Sequence, residues 1–220
     1  VEKNVFILLI LYPAMITTTL LIIALTVAIS MWAFEKDKIF RRLQLNPYMI
    51  YHKNQWYRTI THGFLHADWI HLLVNMIVLF SFGRAVENRL DIMESKQLIG
   101  NSTFHFLSLY FIGMIIATLS TIKKYKDDYN YNAIGASGAV SAVVFAFILF
   151  SPTSTLLVMG IIPIPAFLFG LLYLIYSQYM RKKSGTRVNH DAHFVGAVFG
   201  FIYPVLLEPD LIKVFFNQIF

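Results

Sequence analysis

The sequence contains no cysteine and few charged residues. Without cysteine the chain can form no disulfide, no thiol nucleophile and no thiolate metal site. Asp, Glu, Lys and Arg make up 14% of its 220 residues, whereas 57% are hydrophobic and the mean hydropathy is +0.63. A soluble domain carries about 25% charged residues. The composition therefore argues against an ordinary soluble domain and indicates a protein embedded in the lipid bilayer.

The charge that is present has an excess of one sign, with a formal net charge of +6 at pH 7. A basic protein can bind nucleic acid. In a chain this apolar, loops that lie beside anionic lipid head groups explain the basic residues better. We therefore predict the lipid bilayer as a partner and no nucleic acid.

Runs without charge predict six membrane-spanning helices, because an ionised side chain at mid-bilayer costs roughly 2.5 to 3.5 kcal/mol. Proline in Ser151-Pro152-Thr153 divides one run that is too long for a single helix. The predicted spans lie within residues 4–34, 69–90, 97–122, 129–150, 154–180 and 192–207. The charge-free run of the second is only 69–83, and that span reaches its length by continuing towards Leu90. The long first loop, 35–68, mixes charged and aromatic residues as an interfacial segment does. We predict one all-α, membrane-embedded domain over residues 1–220.

Polar side chains inside apolar spans are expensive, so those near the starts of spans two, four and six are candidate functional residues. His71 and Asn75 are four residues apart and share a face of span two. Ser137 begins span four, and His193 lies near the start of span six. Because these three spans enter the membrane from the same side, we expect the four side chains at similar depth.

Glycines accompany the serine and the histidine. Small residues let neighbouring helices approach closely, and we predict that they bring span six against span four and His193 against Ser137. The glycines expected to pack around this pair are Gly135, Gly138, Gly196 and Gly200.

A serine hydroxyl beside an imidazole has a well-defined chemistry. Serine needs an adjacent base to take its proton as it attacks, and histidine titrates near neutrality. The oxyanion that develops needs donors, for which the candidates are the backbone N–H of Ser137 and the side chains of His71 and Asn75. No Asp, Glu or Lys lies within the spans beside Ser137 and His193, so we predict a dyad and not a triad.

These motifs resemble the rhomboid family of intramembrane serine proteases, over about residues 56–200. They are His-x-x-x-Asn in span two, Gly-x-Ser-Gly in span four and Ala-His-x-x-Gly-x-x-x-Gly in span six, with Tyr57-Arg58 resembling a first-loop element of the family. The resemblance implies a six-helix bundle with Ser137 and His193 as the catalytic dyad. It also implies His71 and Asn75 as the oxyanion hole, no cofactor, and transmembrane proteins as substrates.

Two positions depart from the family pattern. Many rhomboids have an aromatic residue four positions after the serine, where it packs on the catalytic histidine, but this chain has Ser141. Either another residue orients the ring of His193 or that ring is less constrained. The Gly-x-x-x-Glu-x-x-x-Gly motif of span two ends here in Asp91, which affects only local packing.

The loop charges and the family orientation disagree. The loops after spans one, three and five carry 13 of the 18 Lys and Arg residues, which the positive-inside rule would place in the cytoplasm. The family orientation places those loops outside. We favour the family orientation, because a first loop folded into the interface counts poorly as a free loop. The expectation is a bacterial plasma membrane protein whose active site opens to the extracytoplasmic side.

Other functions fit the sequence less well. Gly-x-Ser-Gly alone is more often a packing motif than a nucleophile. His62, His66 and His71 could bind a metal, but there is no His-Glu-x-x-His motif and we expect no carboxylate inside a span to complete a site, so we predict no metal. A transporter would need charged residues at mid-span or paired half-helices. The main alternative is a catalytically silent rhomboid-like protein that binds or escorts membrane clients.

Overall fold

The structure is a computed structural model that describes residues 17–158, 161–181 and 189–220. Ten α-helices, one short 3₁₀ turn and one β-hairpin form within these residues. The helices are α1 Thr18–Phe34, α2 Asp37–Leu43, α3 Pro47–Lys53, α4 Arg58–Thr61, α5 Trp69–Ser95, α6 Ser102–Tyr125, α7 Ser137–Phe150, α8 Ala166–Arg181, α9 His190–Leu207 and α10 Leu211–Ile219. The 3₁₀ turn is His62–Phe64, and the strands are β1 Thr155–Val158 and β2 Ile162–Pro165.

All six predicted spans contain a helix, but the helices differ in length. Among the described helices, α5, α6 and α9 are long and apolar enough to cross a bilayer by length and composition. The helices α1, α7 and α8 are apolar but have only 17, 14 and 16 residues. The chain is therefore a mostly helical membrane protein in which three spans meet the length criterion. The part of the first predicted span before residue 17 lies outside the described residues.

Helix α7 forms the centre of the bundle. Twelve of its 14 residues are buried, and it packs against α5, α6 and α9. At 1.5 Å per residue its length is about 21 Å, less than the roughly 30 Å hydrocarbon core of a bilayer. Irregular backbone at membrane depth is tolerated where protein covers it. Because its neighbours cover α7, the helix can begin and end inside the bundle.

The prediction of an all-α chain is wrong for residues 155–158 and 162–165, which pair as the antiparallel strands β1 and β2. Thr155 lies opposite Pro165, and Val158 lies opposite Ile162. Pro163 and Pro165 lack the N–H that a helix interior needs, and the many β-branched residues favour extended backbone. The chain therefore passes from α7 to α8 through a hairpin instead of a simple turn.

The first loop is built from three short helices, α2 to α4, that are tied together by the buried Arg58. Its guanidinium donates to the carbonyl oxygens of Arg41 and Gln44, at 3.0 and 2.7 Å, and to the side-chain oxygen of Gln55 at 2.7 Å. Hydrogen bonds to a charged donor are stronger than neutral ones. The first loop is therefore a folded element that is stabilised by hydrogen bonds between its own residues.

This loop also holds the segment that leads into α7. The backbones of Leu45 and Ala133 exchange hydrogen bonds of 2.9 and 3.0 Å. The Asn46 amide donates to the carbonyl of Tyr129 at 2.9 Å. The first loop thus anchors the residues just before Ser137, which determines where that side chain lies.

One carboxylate, that of Glu87, lies near the end of predicted span two. Glu87 of α5 accepts hydrogen bonds from the backbone N–H and the hydroxyl of Thr19, at 3.1 and 2.6 Å. Gly83 makes room for this contact, since a Cβ atom there would lie 2.7 Å from the Thr19 hydroxyl. The Glu87 carboxylate is used to join α1 to α5.

Candidate active site

The central feature of the site is the contact between Ser137 and His193. The serine hydroxyl oxygen and the Nε2 atom of the histidine lie 2.6 Å apart in a hydrogen bond. The serine is the first residue of α7, and the histidine lies in the first turn of α9. Both residues are half-buried, so the pair is partly shielded but still accessible from outside the protein.

Glycines set the distance between the two helices. A Cβ atom at Gly196 would collide with the carbonyl oxygen of Gly138, and one at Gly200 would collide with the carbonyl oxygen of Ala142. Gly138 itself faces Ala117 of α6, where an added Cβ would lie 2.8 Å from that methyl group. Backbone of α9 therefore lies directly on backbone of α7, and this contact brings the imidazole to the hydroxyl.

Gly135 brings the third side chain, His71, to the same place. This glycine has φ +113°, a conformation that other residues adopt only with strain, and its N–H donates to the His62 carbonyl at 3.0 Å. A Cβ atom here would lie 3.0 Å from the Cε1 atom and 3.2 Å from the Nε2 atom of His71. The imidazole of His71 therefore packs on the turn that precedes Ser137.

The hydrogen bonds of His71 indicate which of its nitrogens carries the proton. The backbone N–H of Ala67 donates to Nδ1 at 3.3 Å, so Nδ1 acts as the acceptor. In a neutral imidazole the other nitrogen then carries the hydrogen. The Nε2–H of His71 is thus a donor on the Ser137 side of the ring.

Asn75 lies one turn after His71 on the same face of α5 and is buried. Its side-chain amide donates to the carbonyl of His71 at 2.9 Å. An amide has two hydrogens, so the second remains for another acceptor. The structure thus brings Ser137, His193 and His71 together. Asn75 is linked to this group by its hydrogen bond to the carbonyl of His71.

The start of α7 supplies further donors. The first helical hydrogen bond runs from the N–H of Val140 to the carbonyl of Ala136, at 2.9 Å. The N–H groups of Ser137, Gly138 and Ala139 precede it, and such groups have no partner within their own helix. The positive end of the helix dipole is at the same point. This corner can therefore stabilise a negatively charged oxygen.

A tyrosine that sequence analysis did not identify lies beside the histidine. The Tyr173 ring of α8 is stacked on the His193 ring, with centroids 6.5 Å apart and planes 14° apart. The His190 ring approaches the same imidazole edge-on at 6.0 Å. Ser141 had indicated that an aromatic residue was missing from α7, but nothing in the sequence showed which helix would supply one.

A small cavity of about 20 Å³ lies beside the dyad. Its lining includes the polar residues Ser137, His62, Thr118 and Asn189. One water molecule needs roughly 10 to 15 Å³ of such space and two or more polar partners. The cavity therefore has the size and lining for one water molecule next to the hydroxyl.

Two further histidines of the first loop are structural. The Nδ1–H of His62 donates a hydrogen bond at 2.9 Å to the Arg58 carbonyl, and His66 pairs with the Ser30 hydroxyl at 3.0 Å. Burial lowers the pKa of each from 6.5 to about 4, and for His66 the nearby His71 lowers it further. Both rings are therefore neutral at pH 7. Across the described ranges, no group of three His, Cys, Asp or Glu side chains is arranged to hold a metal ion.

Comparison with known proteins points to one family. The family profile described as "Rhomboid domain" matches residues 53–209. The chain is 27% identical over 172 residues to RHOMBOID-like protein 12, mitochondrial, of Arabidopsis thaliana, a match that covers 71% of this chain and 49% of that protein. It is 28% identical over 195 residues to Rhomboid-like protein 11, chloroplastic, of Arabidopsis thaliana, with coverage of 83% and 64%.

A third relative is Presenilin-associated rhomboid-like protein A, mitochondrial, of Danio rerio. The identity is 31% over 147 residues, which cover 64% of this chain and 35% of that protein. The chain therefore spans between 35% and 64% of the lengths of these curated relatives.

Proposed function

The chain belongs to the rhomboid family, and we propose that it is an intramembrane serine endopeptidase that cleaves transmembrane segments of membrane proteins. The observation that supports this most directly is the 2.6 Å hydrogen bond between Ser137 Oγ and His193 Nε2. A nucleophile and a base within hydrogen-bonding distance are what acyl transfer requires. In this proposal residues 1–220 act as one membrane-embedded domain.

In the first half of the reaction, Ser137 Oγ attacks the carbonyl carbon of the scissile peptide bond. His193 Nε2 takes the hydroxyl proton as the new C–O bond forms. When the tetrahedral intermediate collapses, the C–N bond breaks and His193 returns the proton to the leaving amine. The product is an ester between the acyl part of the substrate and Ser137.

The negative charge on the tetrahedral intermediate needs donors that are already in place. The proposed donors are the backbone N–H groups at the start of α7 and the Nε2–H of His71, whose ring packs on the turn that precedes Ser137. The remaining N–H of Asn75 is the outermost candidate, and its hydrogen bond to the His71 carbonyl also steadies α5 at this point. Ser137, His193, His71 and Asn75 thus act together in the proposed site.

In the second half, water attacks the ester carbon and His193 takes its proton. The cavity beside Ser137, lined by His62 and Asn189, is the proposed source of that water. The C–O bond to Ser137 then breaks, and the hydroxyl is restored with the proton from His193. The residues suffice for the whole cycle, so the proposal includes no cofactor and no metal.

The proposed substrates are transmembrane proteins whose helix can unwind near the cleavage point. A regular helix engages its carbonyls in internal hydrogen bonds, so a nucleophile reaches one only after local unwinding. By analogy with the family, small residues at the cleavage point and helix-weakening residues nearby favour cleavage.

The proposed orientation has the dyad opening to the extracytoplasmic side, as in the family. The dyad lies where α5, α7 and α9 begin. The names of the three relatives describe them as mitochondrial or chloroplastic proteins, so these relatives do not favour a bacterial plasma membrane. The proposal therefore keeps the location in a membrane and the orientation, but it no longer includes the bacterial plasma membrane as the compartment.

The absence of cysteine makes this orientation testable with single cysteines. Tyr129, which is 62% exposed on the dyad side, and Leu98, which is 47% exposed at the other end of the bundle, are suitable positions. In right-side-out vesicles a membrane-impermeant maleimide should label Tyr129→Cys but not Leu98→Cys. The reverse result would contradict the proposed orientation.

The activity is tested by reconstituting the chain in liposomes with a single-span substrate and by labelling it with a fluorophosphonate probe. Ser137→Ala should abolish both signals, and His193→Ala should lower them by at least ~10³-fold, because a nucleophile and its base act as a unit. Ser81→Ala is the matched control, since that hydroxyl only bonds to the Ile77 carbonyl at 2.9 Å. It should leave both signals unchanged.

Two results would overturn the proposal. Cleavage that survives Ser137→Ala would show that another residue is the nucleophile. A folded wild-type chain that neither cleaves any substrate nor reacts with the probe would favour the alternative, a catalytically silent member that binds or escorts membrane clients.

A further inference from the structure

Among the residues that the structure describes, no carboxylate is hydrogen-bonded to the ring of His193. Within the described residues the ring of His193 makes one side-chain hydrogen bond, the one to Ser137. In serine enzymes a third group commonly holds the imidazole in the right orientation. The χ2 angle of a histidine side chain has a broad distribution. A single hydrogen bond at Nε2 therefore does not fix the orientation of the ring. Something else must limit that motion.

Tyr173 is placed to do so. Its ring is nearly parallel to that of His193, with an interplanar angle of 14° and a centroid distance of 6.5 Å, which is an offset stack. Offset stacks with centroids about 4.5 to 7 Å apart are favourable arrangements of aromatic rings. A ring in this position resists rotation of the imidazole out of the stacking plane.

The tyrosine is itself held at its hydroxyl. The oxygen lies 2.9 Å from the Oγ atom of Ser141, in a hydrogen bond to α7. Ser141 is four residues after Ser137, so both hydroxyls lie on one face of that helix. The nucleophile and the anchor of the tyrosine therefore belong to the same rigid element.

The ring of Tyr173 is also confined on its sides. Phe145 of α7 packs on it with centroids 5.6 Å apart, and Phe169 of α8 packs on it at 6.0 Å. Together with the hydroxyl contact, these rings leave Tyr173 few alternative positions. A serine at position 141 provides the space, because an aromatic side chain there would occupy the volume that the tyrosine hydroxyl now fills.

We propose that Tyr173 is a positioning residue that holds the His193 ring so that Nε2 points at Ser137, and that Ser141 anchors it. The inference rests on the proposed protease function of the dyad. It assigns to α8 the part that an aromatic residue on α7 would otherwise play. Because Tyr173 comes from α8, a displacement of α8 would loosen the orientation of His193.

The test uses three substitutions in the full chain, assayed for cleavage in liposomes. Tyr173→Leu removes the ring and should lower kcat by about 10- to 100-fold with little change in KM, because misoriented groups lose that much catalysis. Tyr173→Phe and Ser141→Ala each remove only the hydrogen bond and should lower kcat by about fivefold, the equivalent of one such bond. The double variant should be no worse than either single one, because both remove the same contact.

The NMR signals of the His193 ring distinguish a positioning role from a merely structural one, because a merely structural role would leave them unchanged. In ¹H–¹⁵N spectra of the imidazoles, assigned by its loss in His193→Ala, wild type should show one sharp set of ring signals. Tyr173→Leu should shift and broaden that set, and Tyr173→Phe should retain its position. Leu172→Ala, on the exposed side of α8 next to the tyrosine, is the matched control and should change neither kcat nor the spectrum.

The outcomes separate this inference from the proposed function. If wild type cleaves its substrate and Tyr173→Leu has the kcat of Leu172→Ala, the positioning role is overturned and the protease stands. A lower kcat with unchanged His193 signals also overturns it, because the loss would then come from general destabilisation. If wild type neither cleaves nor reacts with the probe, the proposed function fails, and with it any positioning role in catalysis, whatever the spectra show.

Discussion

Helices α7 and α8 are consecutive, apolar and of similar length, yet they are held in opposite ways. Of the 14 residues of α7, 12 are buried. In α8 the outward side chains of Leu171, Leu172, Ile175, Tyr176 and Tyr179 are between 50 and 59% exposed. The nucleophile candidate thus lies on the central helix, and the tyrosine beside its base lies on a peripheral one.

The two helices differ in the kind of contact they make as well as in how deeply they are buried. On α7, backbone meets backbone, because Gly200 of α9 faces the carbonyl of Ala142 directly. On α8, a Cβ atom at Gly170 would lie 3.1 Å from the end of the Ile148 side chain, which can move aside. Rigid contacts therefore hold Ser137 relative to His193, whereas α8 packs through side chains that can adapt.

The largest expected effect comes from adding one methyl group at each of these glycines. Gly200→Ala should destabilise the fold by about 3 kcal/mol or more, because overpacking against backbone cannot relax. It should also remove probe labelling of Ser137, since α9 would move away from α7. Gly170→Ala should change stability by less than about 1 kcal/mol, because a side-chain end can yield and alanine favours helix.

Unfolding in detergent, followed by circular dichroism, measures both effects. Gly100→Ala is the control for the substitution itself, as no atom lies within 4 Å of a Cβ atom at that position. Equal losses at Gly200 and Gly170 would contradict the distinction between rigid and adaptable packing.

An intermediate effect is expected from acid, and it should act on the first loop, which supports the start of α7. Burial lowers the pKa of His62 from 6.5 to about 4. Between these pH values the unfolded chain binds a proton that the folded chain does not, so stability falls as pH falls. For His62 alone the full loss is about 3 kcal/mol, at 1.36 kcal/mol per pKa unit.

The measurement is the free energy of unfolding between pH 7 and pH 4. His62→Gln should lower stability at pH 7 but flatten the acid-dependent part of the curve, because the titrating ring is gone. His66, whose pKa is lowered to about 4 by burial and by the nearby His71, should contribute a loss in the same range and direction. A wild-type curve that stays level from pH 6.5 to pH 4 would rule out this account of the first loop.

The smallest effect is expected on the outer face of α8. Leu172→Ala should change the free energy of unfolding by less than about 0.5 kcal/mol, because exposed positions lose few contacts. The same truncation in α7, Leu149→Ala, removes a side chain that is 1% exposed and should cost about 2 to 5 kcal/mol. If the two variants melt alike, the contrast between a buried central helix and an exposed peripheral one is wrong.

The sequence was sufficient to identify the family. The expected resemblance to rhomboids is confirmed by the family profile over residues 53–209. His71 and Asn75 could be placed on one face, because the spacing of a helix repeats locally. The roles of Ser137, His193, His71 and Asn75 in catalysis remain predictions until activity is measured.

Other features could not be read from the chain. Strands β1 and β2 were predicted to be part of the fifth membrane-spanning helix, because short apolar runs do not distinguish strand from helix. Glu87 was recognised as part of the span-two motif, but its partner Thr19 lies 68 positions away on α1, so no local pattern in the sequence revealed that contact. Charge-free runs also overestimated the length of α7, which begins at Ser137 and not at residue 129.

Sequence alone determined that this chain is a membrane protein of the rhomboid family, because hydropathy and motif spacing depend only on neighbouring residues and the helical repeat. Tertiary structure alone decided that the aromatic partner of His193 is Tyr173, which is 20 positions away on another helix. That pairing depends on how α7, α8 and α9 pack, and on the space that Ser141 leaves for a hydroxyl. Side chains that meet through packing of separate helices carry no local pattern in the sequence.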